Sequence, residues 1–149
     1  MNRILMLTIF FVQISFLGIA QKKVFTKTGV ASFYSKTSME KIEAVNKKVL
    51  AVLDLEKNNI EFSILIKGFE FEKATMQEHF NEDYLESDKY PKAVFKGKFE
   101  GQNTPILLED NKKVSLKVTG SLTLHGITKT INTIAVVETK NKTMYNEIK

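Results

Sequence analysis

The side chains best suited to chemistry in this chain are its two histidines and one nearby acid. His79 and Glu82 are three residues apart, which places them on one face of a helix. A zinc site needs three or four ligands, and only His125 can add a second imidazole nitrogen. We therefore expect His79 to make a local hydrogen bond on a helix surface, and we expect no metal site.

Other catalytic motifs are missing from the sequence. The 149 residues include no cysteine, which excludes a thiolate nucleophile, a disulfide and an iron–sulfur cluster. There is no Gly-x-Ser-x-Gly nucleophile elbow and no glycine-rich phosphate loop. We expect no catalytic residues. The enzymatic alternative is a small enzyme that uses His79, Glu82 and His125, and it requires these three side chains to converge.

Residues 1–20 have the layout of a cleaved secretory signal. Arg3 supplies a positive charge, Ile4–Leu17 is almost wholly apolar, and Gly18 and Ala20 are small residues at the two positions that a signal peptidase reads. The apolar run is short for a membrane span, although a transmembrane anchor is the alternative. We predict one domain over residues 21–149, exported to the periplasm or secreted, with no stable membrane insertion after signal removal.

The charge distribution argues against nucleic acid as a partner. The chain has 22 basic and 17 acidic residues, and Arg3 is its only arginine. The lysines are spread along the chain, whereas nucleic-acid surfaces cluster lysine with arginine. The pattern therefore predicts an ordinary solvated surface.

The elements that must position any site are mainly strands. Val114–His125 alternates between apolar and polar residues over twelve positions, which is typical of a strand with one wet face. Glu56–Asn59 predicts a hairpin loop, and Asn46–Lys48 is a candidate for another. The other predicted strands are Val30–Ser35, Lys41–Asn46, Val49–Leu55, Ile60–Lys67, Ala93–Glu100 and Ile131–Glu138.

One segment does not alternate. Lys73–Glu82 is rich in helix formers, and Met76, Phe80 and Tyr84 recur every four residues on one helical face. Many short strands with one helix indicate an antiparallel barrel or a sandwich, and the pattern alone does not choose between them.

The aromatic residues allow two interpretations. Eight of the 11 phenylalanines follow the signal segment, and they either fill a core or line an apolar cavity. A small β-barrel can do either, because its interior is filled by side chains or holds one small ligand. Both arrangements present the same apolar face to the interior.

Two stretches resemble signatures of the YceI-like family of periplasmic, polyisoprenoid-binding proteins. Phe69–Leu85, followed by Lys89–Phe95, resembles the middle signature, and Val118–Lys129 resembles the second. Their order and separation also match, and the resemblance extends over about Lys27–Val137. It implies an all-β, antiparallel, extended lipocalin-like β-barrel with one short inserted helix. It also implies non-catalytic binding or transport of an isoprenoid or similar amphiphile, without family-wide catalytic residues.

The resemblance and the inward strand faces together suggest a set of ligand contacts. We expect no cofactor apart from the ligand itself, such as an isoprenoid or an isoprenoid quinone. His125 is either a strand-end side chain bonded to a nearby backbone group or a polar gate at the cavity mouth. The functional alternative is a structural or stress-associated periplasmic partner protein whose barrel is filled by its own side chains. The predicted ligand-binding residues are Phe33, Phe62, Ile64, Ile66, Phe69, Met76, Phe80, Phe95, Leu116, Val118, Leu122, Leu124 and His125.

The C-terminal region departs from the family pattern. Family members continue with further strands that close the barrel, whereas here a polar segment, Glu138–Lys149, follows the last predicted strand. This segment is too short for the missing hairpin. We therefore expect a truncated sequence or a barrel that is open at its C-terminal end. Open strand edges that expose an apolar lining favour dimerisation or aggregation, so a homodimer through these edges is a candidate association.

Overall fold

The computed structural model describes residues 23–36, 41–100, 111–140 and 143–148, so the predicted signal segment lies outside it. These residues form eight antiparallel strands and the predicted short helix. Glu70–Phe71 and Thr143–Ile148 were not predicted as strands, and the predicted strand Ile60–Lys67 ends at Leu65, where a 3-10 turn over Ile66–Gly68 begins. The strands are β1 (Lys23–Lys36), β2 (Lys41–Asp54), β3 (Asn59–Leu65), β4 (Glu70–Phe71), β5 (Lys92–Phe99), β6 (Lys113–Leu124), β7 (Ile127–Lys140) and β8 (Thr143–Ile148).

The strands form one curled sheet that has the shape of a half-barrel. The strand order is β1-β2-β3-β5-β6-β7-β8, and β4 pairs with β2 on the edge opposite β1. Within the described chain, β1 pairs only with β2 and β8 only with β7. The predicted all-β barrel-like fold is therefore confirmed, and these strands leave it open.

The predicted break in the second strand is wrong, because β2 runs without interruption through Asn46–Lys48. Two residues of β2 oppose one residue of β1 at this point, which makes a β-bulge rather than a hairpin. Asn46 is fully buried, and its Nδ2 donates to the backbone oxygen of Leu65 at 2.8 Å. Its Oδ1 accepts from the Lys48 backbone N–H at 2.9 Å. The amide therefore satisfies one backbone group of the bulge and one at the end of β3, and joins the two.

The predicted loop between β2 and β3 is confirmed. Asn58 has a φ of 56°, a left-handed conformation that asparagine tolerates. Asp54 Oδ1 accepts backbone hydrogen bonds from Lys57 at 2.9 Å and Glu56 at 3.2 Å. The bond from Lys57 is the main reason that the pKa of Asp54 lies below its ordinary value of 3.8.

The predicted helix is confirmed as α1 (Ala74–His79), and it continues as a π-helical turn over Phe80–Tyr84. No helix in the parts of the chain that the structure describes is long and apolar enough to cross a membrane.

The predicted C-terminal tail is wrong in one respect. Thr143–Ile148 forms β8, which pairs with β7 from Ala135 to Lys140. This segment lacks the alternation that marks β6, so its own pattern did not predict a strand. Its extended conformation is instead set by pairing with β7.

Two buried clusters occupy the concave side of the sheet. The first fills one end of the half-barrel, and we call it the filled end. It consists of Leu53, Leu55, Ile60, Phe95, Phe99, Leu116, Val118, Ala135 and Val137. The second cluster lies toward the helix and consists of Ala44, Val49, Ile64, Ile66, Phe69 and Ala93.

Candidate ligand-binding cavity

A cavity of about 630 Å³ lies within the curl of the sheet, on the side of the second cluster and α1. None of the described residues that line it carries a charge, and its polar groups are the hydroxyls of two serines, one threonine and one tyrosine. The lining residues are Ala31, Ser32, Phe33, Ser35, Ile42, Phe62, Ile64, Ile66, Phe69, Phe71, Met76, Phe80, Tyr84, Leu85, Ala93, Phe95, Leu122, Leu124, Ile131 and Thr133.

Strand register explains why the sheet wall is apolar. Phe62 on β3 pairs with Phe95 on β5, and Phe95 pairs in turn with Leu122 on β6. Directly paired residues point to the same face, so these three side chains form one row across the concave surface. Ile64 and Ala93 pair in the next row. The alternation of each strand therefore produces a continuous apolar wall.

A second wall of the cavity is aromatic and centres on Phe80, the first residue of the π-helical turn. Its ring centroid lies 4.8 Å from that of Phe71, 5.7 Å from Phe69 and 6.0 Å from Phe33. These are tilted or edge-to-face contacts, which aromatic pairs favour. Met76, one turn earlier on α1, lines the same wall. The four-residue spacing seen in the sequence therefore turns one helix face toward the cavity.

The boundary between the cavity and the filled end is a stacked aromatic pair. The rings of Phe62 and Phe95 are 4.9 Å apart and inclined by only 20°. Phe95 belongs to the filled end, and Phe62 packs against both clusters. Both side chains also line the cavity.

Ten of the 13 predicted ligand-binding residues line this cavity. Leu116 and Val118 do not, because they are packed into the filled end, where they are only 6% and 1% exposed. The alternation along β6 correctly predicts that both side chains point to the concave face. It does not tell whether they lie beside the cavity or in the filled end. The ten lining residues are Phe33, Phe62, Ile64, Ile66, Phe69, Met76, Phe80, Phe95, Leu122 and Leu124.

His125 lies outside the cavity wall, in the turn between β6 and β7. It has a φ of 51°, and Gly126 follows with a φ of 71°. Its Nε2 lies 2.6 Å from Oε2 of Glu86, and its ring packs edge-on against Tyr90 with centroids 4.8 Å apart. His125 therefore lies at a strand end, as predicted, but its partner is a side chain 39 residues away and not a nearby backbone group.

His79 is exposed on α1 and pairs with Asp83, not Glu82. Its Nδ1 lies 2.7 Å from Oδ2 of Asp83, and this hydrogen bond is the main reason that the pKa of His79 is raised. His79 and His125 thus have separate carboxylate partners. Among the described residues, no group of three or more His, Cys, Asp or Glu side chains could hold a metal ion.

Sequence reasoning missed several residues of the wall. Phe71 follows Phe69 by two residues, so strict alternation would have placed it on the same face. Leu85 comes at the end of the π-helical turn, where the irregular geometry hides its direction. Ile131 and Thr133 lie on β7, whose alternation is interrupted by polar residues on both faces.

The chain is similar to one family and to several solved structures. The model of the YceI-like domain matches residues 20–147. A polyisoprenoid binding domain from Saccharophagus degradans, described as implicated in plant cell wall breakdown, shares the fold with a TM-score of 0.65 and 13% identity, over 82% of this chain and 70% of that chain.

Two further structures are more distant. The Campylobacter jejuni YCEI protein has a TM-score of 0.43 and 20% identity, over 76% of this chain and 54% of its own. Burkholderia cenocepacia BcnA has a TM-score of 0.48 and 14% identity, over 83% of this chain and 65% of its own. No curated protein matches the chain.

Proposed function

The chain belongs to the YceI-like family, and we propose that it binds or transports an isoprenoid or another lipid-like amphiphile without catalysing a reaction. The observation that carries this proposal is the uncharged cavity of about 630 Å³. Its volume lies within the range of roughly 300–1,000 Å³ that is usual for small-molecule sites.

The chemistry of the lining favours an apolar chain. Each Å² of apolar surface removed from water contributes roughly 25 cal/mol, so a hydrocarbon tail gains affinity without specific polar contacts. The Ser32, Ser35, Thr133 and Tyr84 side chains add hydroxyl groups that accept or donate hydrogen bonds. They suit an uncharged or weakly polar group of an amphiphile better than they suit a reacting centre.

Similarity to a known binding domain supports the same ligand class. The Saccharophagus degradans domain that shares this fold is described as polyisoprenoid binding. We extend that class to the present chain because its cavity wall is apolar on both the sheet side and the helix side.

The second candidate is a structural or stress-associated partner protein with a self-filled barrel. The filled end favours it, because nine buried residues occupy that part of the interior. The cavity beside α1 favours the ligand carrier. We take the carrier as the main proposal because a rigid interior of this size without an occupant forgoes the contacts that its lining can make.

The same proposal includes export. Residues 1–20 have the composition of a signal segment, and family members are typically periplasmic. N-terminal sequencing of the protein recovered from the host's periplasm or medium tests this point: a first residue of Gln21 is expected, and retention of Met1 contradicts it.

The ligand test uses the full chain, expressed in and purified from its own host. Native mass spectrometry followed by solvent extraction should recover an amphiphile in reproducible stoichiometry. Met76→Trp fills the cavity from the helix side and should abolish this recovery, whereas Thr75→Trp adds the same ring at the neighbouring, exposed position and should not. Absence of any amphiphile from the wild type, together with no binding of an added isoprenoid quinone, overturns the proposal.

A further inference from the structure

We infer that the stacked pair Phe62–Phe95 is a floor that limits the bound apolar chain to about four isoprene units. This inference rests on the proposed function and deepens it, because it specifies the length of the tail that the protein selects. By floor we mean side chains that close the bottom of the cavity and separate it from the filled end. The rings of Phe62 and Phe95 do this, because they line the cavity and also pack against the filled end.

The closed side of the floor is densely packed. Phe95 is 3% exposed and belongs both to the cavity wall and to the filled end. Phe99, four residues further along β5 on the same face, is 4% exposed and does not line the cavity. Leu116 and Val118 from β6 are buried beside Phe99 in the same cluster. A hydrocarbon chain that reached this level would have to displace side chains from a core packed at crystal-like density.

The floor is held in position by two glycines. Gly97 and Gly120 pair directly across β5 and β6, on the concave face beneath the Phe95 ring. A Cβ on Gly97 would lie 2.6 Å from Cε1 of Phe95, and a Cβ on Gly120 would lie 2.6 Å from its Cζ. The ring therefore rests on bare backbone and cannot sink further into the sheet. Phe62 covers its other side.

The volume of the cavity above Phe62 and Phe95 sets the length of isoprenoid tail that can be buried. A water molecule, which has one non-hydrogen atom, occupies about 30 Å³ of liquid. On that scale a cavity of about 630 Å³ takes on the order of twenty carbon atoms, or about four isoprene units. Further units of a longer chain remain at the open side of the half-barrel, where they gain little burial.

A length series tests the inference. The probes are prenyl diphosphates of two, three, four and eight isoprene units, used below their micelle concentrations. Their common diphosphate keeps them soluble, so the trend reports the tail. Calorimetric titration of the full chain should show binding at least about tenfold tighter per unit up to four units, because each buried methylene adds to affinity. The step from four to eight units should change affinity by less than about threefold.

Two matched variants identify the floor. Phe95→Leu removes ring atoms from the bottom of the cavity and so deepens it. The gain in affinity with each added isoprene unit should then extend to chains longer than four units. Phe99→Leu removes the same atoms from the same strand and the same buried cluster, but away from the cavity, and should leave the length profile unchanged. Phe62→Leu is the second floor variant, and it carries the test if Phe95→Leu does not fold.

The outcomes separate this inference from the proposed function. If no diphosphate binds, the floor inference fails, and the carrier function fails with it only if an added isoprenoid quinone does not bind either. If affinity rises steadily through eight units, the carrier function stands and the floor is overturned. An equal change of profile in Phe99→Leu and the floor variants also overturns the assignment to Phe62 and Phe95. A plateau near four units that only the floor variants extend supports it.

Discussion

The imidazole Nε2 of His125 and the Oε2 of Glu86 lie 2.6 Å apart, and both residues have a positive φ, 51° and 43°. Each follows a leucine of the cavity wall, Leu124 and Leu85. This one contact thus fastens the β6–β7 turn to the segment that follows the π-helical turn. Left-handed backbone is unfavourable for both residue types, so the contact stabilises two strained positions together.

Removing this contact should loosen the segment after the helix. In Glu86→Ala, we expect amide hydrogen exchange at Ser87, Lys89 and Tyr90 to accelerate by about two- to fivefold, because a half-exposed pair contributes up to about 1 kcal/mol. Exchange measured by NMR checks this. Glu82→Ala, an exposed acid in the π-helical turn, is the control and should leave these three amides unchanged. Equal exchange in wild type and Glu86→Ala would contradict the assigned role.

The bulge in β2 should depend on an amide at position 46. Asn46→Asp replaces the donor to the Leu65 carbonyl by a buried carboxylate oxygen, and we expect a loss of about 3 kcal/mol in the free energy of unfolding at pH 7. Burial and the facing carbonyl raise the pKa of the introduced carboxyl above its unfolded value, so the folded state binds the proton more tightly. The deficit should therefore shrink as the pH falls from 7 toward about 4.

Urea unfolding at several pH values measures this deficit. Asn111→Asp is the control, because Asn111 is exposed and its left-handed backbone is one that aspartate also tolerates. A constant deficit for Asn46→Asp across this pH range would contradict the prediction.

The pKa of His79 on the helix should depend on its hydrogen bond to Asp83. The hydrogen bond to Asp83 raises the pKa of His79 above the ordinary 6.5, and Asp83→Asn should lower it toward that value. Because the folded pKa is the higher one, the contribution of the pair to stability is complete below pH 6.5 and is lost as the pH rises through the raised pKa. NMR titration of the imidazole C2 proton measures the shift. Glu82→Gln should produce a smaller decrease, and an equal decrease in both variants would count against the Asp83 bond as the main cause.

Adding a methyl group beneath the floor should reveal its coupling to Phe95. Gly97→Ala places a carbon 2.6 Å from the Phe95 ring, and overpacking of this kind costs about 1–3 kcal/mol. Combining it with Phe95→Leu should cost less than the sum of the two changes, whereas combining it with Ile66→Val, in the other buried cluster, should be additive. Denaturant unfolding of the single and double variants provides the cycle, and additivity in both pairs would show that the Phe95 ring is not what the glycine accommodates.

Much of the fold was predictable because strand alternation is a local signal. Val114–His125 revealed β6 and its inward face, and the spacing of Met76 and Phe80 revealed the helix wall. The loop before β3 was predictable because Asn58 tolerates left-handed backbone.

The remaining features depend on partners that are distant in the chain. The continuity of β2 requires the Leu65 carbonyl, 19 residues from Asn46. The partner of His125 is Glu86, 39 residues away, and no spacing rule connects them. Likewise, alternation places Phe95 and Val118 on the same concave face, but only the packing of both clusters shows that one borders open space and the other does not.

The division of the interior by Phe62 and Phe95 has a consequence for how such a chain can change over generations. Phe99 and Val118 hold the sheet together and do not line the cavity, whereas Ile66 and Phe69 are buried core and cavity wall at once. Phe33 and Met76 line the cavity without being part of either buried cluster. Substitutions at Phe33 and Met76 can therefore alter the cavity at a smaller cost in stability than substitutions at Ile66 or Phe69.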